Sequence, residues 1–176
     1  MAKGPADLSA DVTFDLAFSN RAGKLSIRPE VDEDRDFLVA LFVACSPMAA
    51  SMPTALLHMQ ANMQIDSHRS AHPNAMRRIV CADGSPIGRI MVDWNIDHCT
   101  HGIDIAVLPD ARGTGAGLHM LRAWLATADQ MRQTCRLEVI SDNPARHIYA
   151  KLGFVAQAET LDQPSIVMIR PTRDQG

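Results

Sequence analysis

The chain has 176 residues, 47% of them apolar, and a formal net charge of −3. That length suits one domain with a buried core, and the slightly acidic balance argues against a broad nucleic-acid surface. No apolar run approaches the ~20 residues that span a bilayer, and Met1-Ala2-Lys3-Gly4-Pro5 lacks the apolar stretch of a signal peptide.

Residues 1–23 read as a polar N-terminal arm with one strand, because Val12, Phe14, Leu16 and Phe18 alternate. The arm is expected to add an edge strand or to pack on a partner, and residues 24–172 read as the domain proper. Leu25-Ser26-Ile27-Arg28-Pro29 is a short strand stopped by proline. Asp32 to Cys45 has apolar residues at helical spacing (Phe37, Leu38, Leu41, Phe42) and acidic residues in its first turn. Ser51-Met52-Pro53 opens a second helix that runs to about His68. Met76 to Cys81 and Ile87 to Trp94 read as strands joined by the Ala82-Asp83-Gly84-Ser85-Pro86 turn. Thr100 to Leu108 is the next strand, and Leu118 to Met131 the helix after it. Thr134 to Ile140 is a strand, Pro144 to Leu152 a helix, and Phe154 to Gln157 and Ile166 to Arg170 the last strands. The order β-α-α-β-β-β-α-β-α-β-β implies a mixed α+β sheet.

Arg112-Gly113-Thr114-Gly115-Ala116-Gly117-Leu118 joins a strand to a helix and is the most informative stretch. A helix start offers unpaired N–H groups and the positive end of a dipole, so this turn suits phosphate oxygens. A P-loop would need Lys then Ser or Thr after its last glycine, but Leu118 and His119 follow Gly117. A dinucleotide loop would need a third glycine at Leu118. Glycine-rich turns also occur without any ligand.

The stretch R-G-x-G-x-G after V-x-P resembles the acetyl-CoA pyrophosphate loop of the GCN5-related N-acetyltransferases, the GNAT family. Asn143-Pro144-Ala145-Arg146-His147-Ile148-Tyr149-Ala150-Lys151-Leu152-Gly153-Phe154 resembles the family's second signature, with one residue fewer between Asn and Tyr. Asn143 caps that helix, Pro144 suits its first turn and Gly153 ends it. The resemblance implies a three-layer α/β/α fold, with a mostly antiparallel sheet splayed at a cofactor cleft between Thr100–Leu108 and Thr134–Ile140. It implies that pantetheine lies along Ile105, Ala106 and Val107. The pyrophosphate would sit on Gly113, Thr114, Gly115, Ala116, Gly117 and Leu118, with Arg112 lending charge and Asn143 completing the cofactor-binding set.

The implied reaction is acetyl transfer from acetyl-CoA, as co-substrate and without metal, to a primary amine of a small molecule or peptide. The amine must lose a proton, the thioester oxygen needs a donor, and the departing thiolate needs a proton. A lysine-like amine has a pKa near ~10.4, so holding it neutral at pH 7 costs about 4–5 kcal/mol. Tyr149, the only tyrosine, occupies the family's general-acid position. Glu138 and Asp104 are candidate bases, beside water or a group of the acceptor itself, and each also suits a plain strand carboxylate paired with an arginine or exposed. A non-catalytic acyl-CoA-binding module is the alternative reading.

Other features read as structural. His98, Cys99 and His101 are close but lack a spaced partner pair for a metal. His58, His68 and His72 fit a helix face and its exit. Cys45, Cys81, Cys99 and Cys135 show no C-x-x-C spacing and suit reduced thiols of a cytoplasmic protein. Met48, Met52, Met59 and Met63 give the acceptor side an adaptable apolar wall or belong to the core. The helix with Met59-Gln60 and Gln64 resembles a bacterial subgroup of the family, though that subgroup often ends the helix on an aromatic where His68 stands. The expected partners are the amine acceptor and, as one assembly, a second copy in a homodimer, with no nucleic acid and no membrane.

Overall fold

A computed structural model describes residues 5–20, 23–96, 99–157 and 164–172. The elements are α1 (Pro5–Ser19), β1 (Leu25–Pro29), α2 (Arg35–Cys45), α3 (Thr54–Ala71), β2 (Met76–Ala82), β3 (Ser85–Ile96) and β4 (Cys99–Val107). They continue with α4 (Ala116–Gln130), β5 (Thr134–Ile140), α5 (Ala145–Lys151), β6 (Val155–Ala156) and β7 (Ser165–Arg170). The strands form one sheet in the order β1-β2-β3-β4-β5-β7-β6. Every neighbouring pair is antiparallel except β4 and β5, which run parallel.

Alternation along the strands feeds two cores. Val80, Ile90, Val92, Trp94, Cys135, Leu137 and Val139 face one side, where Met120, Leu121, Trp124 and Ala128 of α4 cover them. Tyr149 and Leu152 pack against the same core from α5 and its exit. Ile79 and Cys81 face the other side, under Leu38 and Val39 of α2 and Ala61 and Ile65 of α3. The result is the expected mixed α+β architecture, a sheet between two helical layers. Asp83 and Gly84 both take positive φ (48° and 82°), which matches the twist of the β2–β3 hairpin.

The strand expected over Val12–Phe18 is instead part of α1. Residues four apart are also two steps of an alternation, so the pattern fits both periods. Packing decides: Phe14 and Phe18 are fully buried on the α4 side, while Val12 and Leu16 are 58% and 60% exposed. Burying each phenylalanine stabilises by about 1.5–3 kcal/mol. Asp11 accepts from the Trp94 indole N–H at 2.9 Å, and Asp15 accepts from the Arg78 guanidinium at 2.8 and 3.0 Å. The arm therefore belongs to the core of the fold.

One local irregularity positions the site. In the β3–β4 ladder, Met91 faces Asp104 and Val92 faces Gly102, so Ile103 is an extra residue. Such a bulge bends a strand and shifts which side chains share a face. The parallel β4–β5 ladder stops at the same place, with Gly102 opposite Leu137. Gly102 is required there, because a Cβ would lie 2.7 and 2.9 Å from ring atoms of Trp124. The Trp124 indole cannot yield easily, since its N–H donates to Thr100 Oγ1 at 2.8 Å. Gly102→Ala is expected to lower stability by about 1–3 kcal/mol through overpacking, read as a drop in Tm.

Candidate active site

Beyond Gly102 and Leu137, β4 runs on to Val107 and β5 to Ile140 without pairing to each other. The two strands part, and residues 103–107 present one backbone edge to the gap. The glycine turn lies at the β4 end of this gap. Gly113 and Gly115 hold φ of +81° and +89°, a region that L residues rarely adopt. Thr114 Oγ1 donates to the Ala111 carbonyl at 2.7 Å and faces the Ala116 amide at 3.4 Å. His119 closes the first turn of α4 through its amide to the Gly115 carbonyl, at 2.9 Å. Among the described residues, the amides of Gly113, Thr114, Gly115, Gly117 and Leu118 find no acceptor. Those free donors at the positive end of α4 form a geometry that suits an anion. Arg112 is exposed beside it, with its guanidinium 3.5 Å from Cys45 Sγ. Cys45 in turn donates to the Val107 carbonyl, at 3.4 Å.

Two cavities open on the α2–α3 face of the gap. One, of about 350 Å³, is lined by Leu41, Phe42, Cys45, Asp104, Ala106 and Ile140 among others. The second, of about 340 Å³, lies at the closed end and is lined by His68, His72, His101, Glu138, Ile140 and Ser165 among others. Asp104 is held by Arg89 at 2.8 Å, and Arg89 also holds buried Glu30 at 2.8 Å. Glu138 is exposed and accepts a hydrogen bond from the Ser165 hydroxyl. The sequence-selected carboxylates thus sit on one face of the gap but in different cavities.

Tyr149 approaches from α5. Its half-buried ring packs edge-on against Phe154, with centroids 5.9 Å apart. Burial pushes its phenol pKa up, and the nearby Asp104 charge pushes it the same way. Its hydroxyl makes no hydrogen bond among the described residues. Asn143 caps α5 locally: its Oδ1 accepts from the Ala145 amide at 2.9 Å. That bond uses the side chain the resemblance assigned to the cofactor.

The matching family model is that of the acetyltransferase (GNAT) family, over residues 27–154. The chain belongs to the GNAT family. Solved GNAT-fold structures agree with the architecture. The PaiA N-acetyltransferase of Thermoplasma acidophilum, in complex with coenzyme A, superposes with a TM-score of 0.67 at 16% identity, covering 84% of this chain and 98% of that one. Ard1 of Thermoplasma volcanium gives 0.62 at 23% identity, over 86% and 99%. The ribosomal-protein-S18-alanine N-acetyltransferase of Escherichia coli gives 0.61 at 18% identity, over 86% and 96%. No curated protein matches the chain.

The histidines that the sequence reads as structural, His68, His72 and His101, line the second cavity together. His72 Nδ1 lies 3.1 Å from Asp93 Oδ2, and the His72 and His101 rings meet edge to face at 6.0 Å. His101 Nε2 is 3.1 Å from Arg136 Nη1. A guanidinium only donates, so that contact fixes Nε2 as unprotonated and puts the ring hydrogen on Nδ1. Burial, then the Arg136 charge, lower the His101 pKa to about 4. The folded value is below the unfolded one, so this neutrality stabilises the fold above pH ~6.5 and the gain is lost as pH falls toward 4. Stability is expected to drop by about 1–3 kcal/mol across that window, and His101→Gln should remove this limb from a pH–Tm series.

Among the described residues, no group of three or more His, Cys, Asp or Glu side chains is placed to hold a metal. His98 lies outside them. All four cysteines are free, with Cys81 and Cys135 buried. No helix among the described residues is long and apolar enough to cross a membrane.

Proposed function

We propose that this chain transfers an acetyl group from acetyl-CoA to a primary amine of a small molecule or peptide, by direct attack in a ternary complex. The observation that carries this reading is the conjunction of free amides at 113–118 with the parted strands beside them. A diphosphate meets the amides, and a pantetheine arm meets the exposed edge of Ile105, Ala106 and Val107 as an added strand would. The thioester then points to the closed end of the gap, where the acceptor enters from the α2–α3 face.

Tyr149 is the general acid of this reading. Its raised pKa keeps the phenol protonated and able to donate to the departing sulfur. Glu138 is the carboxylate that meets the incoming ammonium, because Asp104 is already engaged by Arg89. Asp104 and Arg89 instead hold β3 and β4 in register beside the gap.

A thermal-shift series with acetyl-CoA, followed by a panel of primary amines read through thiol release, tests the proposal. A raised Tm with acetyl-CoA and turnover with at least one amine are the expected results. Binding without turnover on any amine would leave a CoA-binding module; no binding would end both readings.

A further inference from the structure

The proposed reaction strips a proton from the acceptor's ammonium, and the two carboxylates chosen from sequence are poorly placed to keep it. Asp104 is spent on Arg89, and Glu138 is exposed and bonded to Ser165. The cavity at the closed end of the gap holds a better set. His72 caps the C-terminus of α3, with its amide bonded to the His68 carbonyl at 3.0 Å. Its side chain is 21% exposed, and the Asp93 side chain beside it is 19% exposed. A carboxylate only accepts, so Asp93 holds the ring hydrogen on His72 Nδ1 and leaves Nε2 as a proton acceptor.

Resting on the acetyltransferase reading, we propose that His72 is the base that takes the acceptor's proton, with Asp93 as its positioning residue. The acceptor's N–H bond breaks to His72 Nε2, and the freed lone pair forms the bond to the thioester carbonyl carbon. The carbon–sulfur bond then breaks, the sulfur takes the electron pair, and Tyr149 supplies its proton. The nitrogen's second surplus proton passes through water to the Tyr149 phenolate and restores the phenol, and the His72 imidazolium releases its own proton to solvent.

The groups around His72 divide the labour. His68, one turn earlier in α3, has a buried Nδ1 with no hydrogen-bond partner, and burial with the Arg89 charge disfavours its protonation. His101 of β4 is held neutral by burial and by Arg136 of β5. Of the three histidines, His72 has both a carboxylate partner and a helix C-terminus to offset a gained charge. Asp104 and Arg89 act on the His68 side, and Glu138 and Asp93 on the His101 side. Arg77 of β2 donates to the Pro73 carbonyl next to His72, at 3.1 Å, and Arg69 of α3 is paired with Glu30 and Asp32.

The test uses the full chain with acetyl-CoA and a panel of primary amines from pH 6 to 10. His72→Gln is expected to lower kcat/KM by about 10²–10³-fold near pH 7 while CoA affinity stays unchanged. The deficit should shrink as pH rises toward the amine's own pKa, where free amine needs no base. Asp93→Asn should show the same pH-dependent deficit at smaller size. A His72→Gln enzyme with wild-type rates, or with a loss that is equal at every pH, would overturn the assignment. Wild-type protein that binds CoA yet turns over no amine would overturn the acetyltransferase reading and this one with it. If the variants do not fold, ¹⁵N-histidine NMR of the wild type decides: a hydrogen on His72 Nδ1 supports the assignment, and one on Nε2 alone at neutral pH overturns it.

Discussion

Tyr149→Phe is expected to lower kcat for acetyl transfer by about 10²-fold or more, while CoA affinity and Tm stay close to wild type. The exchange removes one oxygen and nothing else. The ring keeps its edge-on contact with Phe154. The hydroxyl makes no hydrogen bond among the described residues, so no buried partner is stranded. Its pKa lies above the ordinary tyrosine value because burial and the Asp104 charge both oppose ionisation. The alkaline fall in wild-type rate should therefore lie above pH ~10, and the phenylalanine variant should lack it. Thiol-release kinetics and calorimetry with CoA check both parts. An unchanged rate would remove the acid role, and a matching loss of CoA affinity would make the residue structural.

The second large effect is expected at the glycine turn. Gly113→Ala and Gly115→Ala should each weaken CoA binding by about 10–100-fold. At Gly113 a Cβ would meet nothing within 4 Å, so space is not the obstacle. The obstacle is φ near +81° and +89°, which costs a residue with a Cβ about 1–2 kcal/mol. The turn relaxes and its amides swing off the diphosphate. Gly117→Ala is the informative contrast, since that backbone is ordinary helix and a Cβ would sit 3.7 Å from Val107. A binding loss there reports a methyl group in the ligand's path. Calorimetry with CoA separates the cases, and wild-type affinity in Gly115→Ala would mean the turn is unused.

Local signals carried most of the fold and part of the site. The strand over Thr134–Ile140 is visible as Cys135, Leu137 and Val139 alternating with polar residues between a helix end and an Asn-Pro cap, and it spans those same residues in the structure. The glycine turn was legible at a strand-to-helix junction, and two of its glycines hold the positive φ that the turn requires. The arm was misread because Phe14 and Phe18 satisfy both a strand and a helix period, and their distant partners Trp94 and His119 settle which. The bulge at Ile103 leaves no mark in sequence, since it depends on the β3 register. His72 and Asp93 lie 21 positions apart, on a helix end and a strand. Only the folded sheet brings them together, and so the acceptor side stayed hidden.

The seat of α1 also sets a timetable for biosynthesis. The helix leaves the ribosome well before its partners, because Phe14 and Phe18 dock against Trp94 and His119. The Arg78 cation that Asp11 and Asp15 neutralise arrives only with β2. Domains generally assemble as units during synthesis, and contacts distant in sequence form slowly. That helix must therefore wait, undocked, until α4 is translated. The nascent chain carries two unburied phenylalanines through that interval, and a slow stretch of translation before α4 would lengthen their exposure to aggregation.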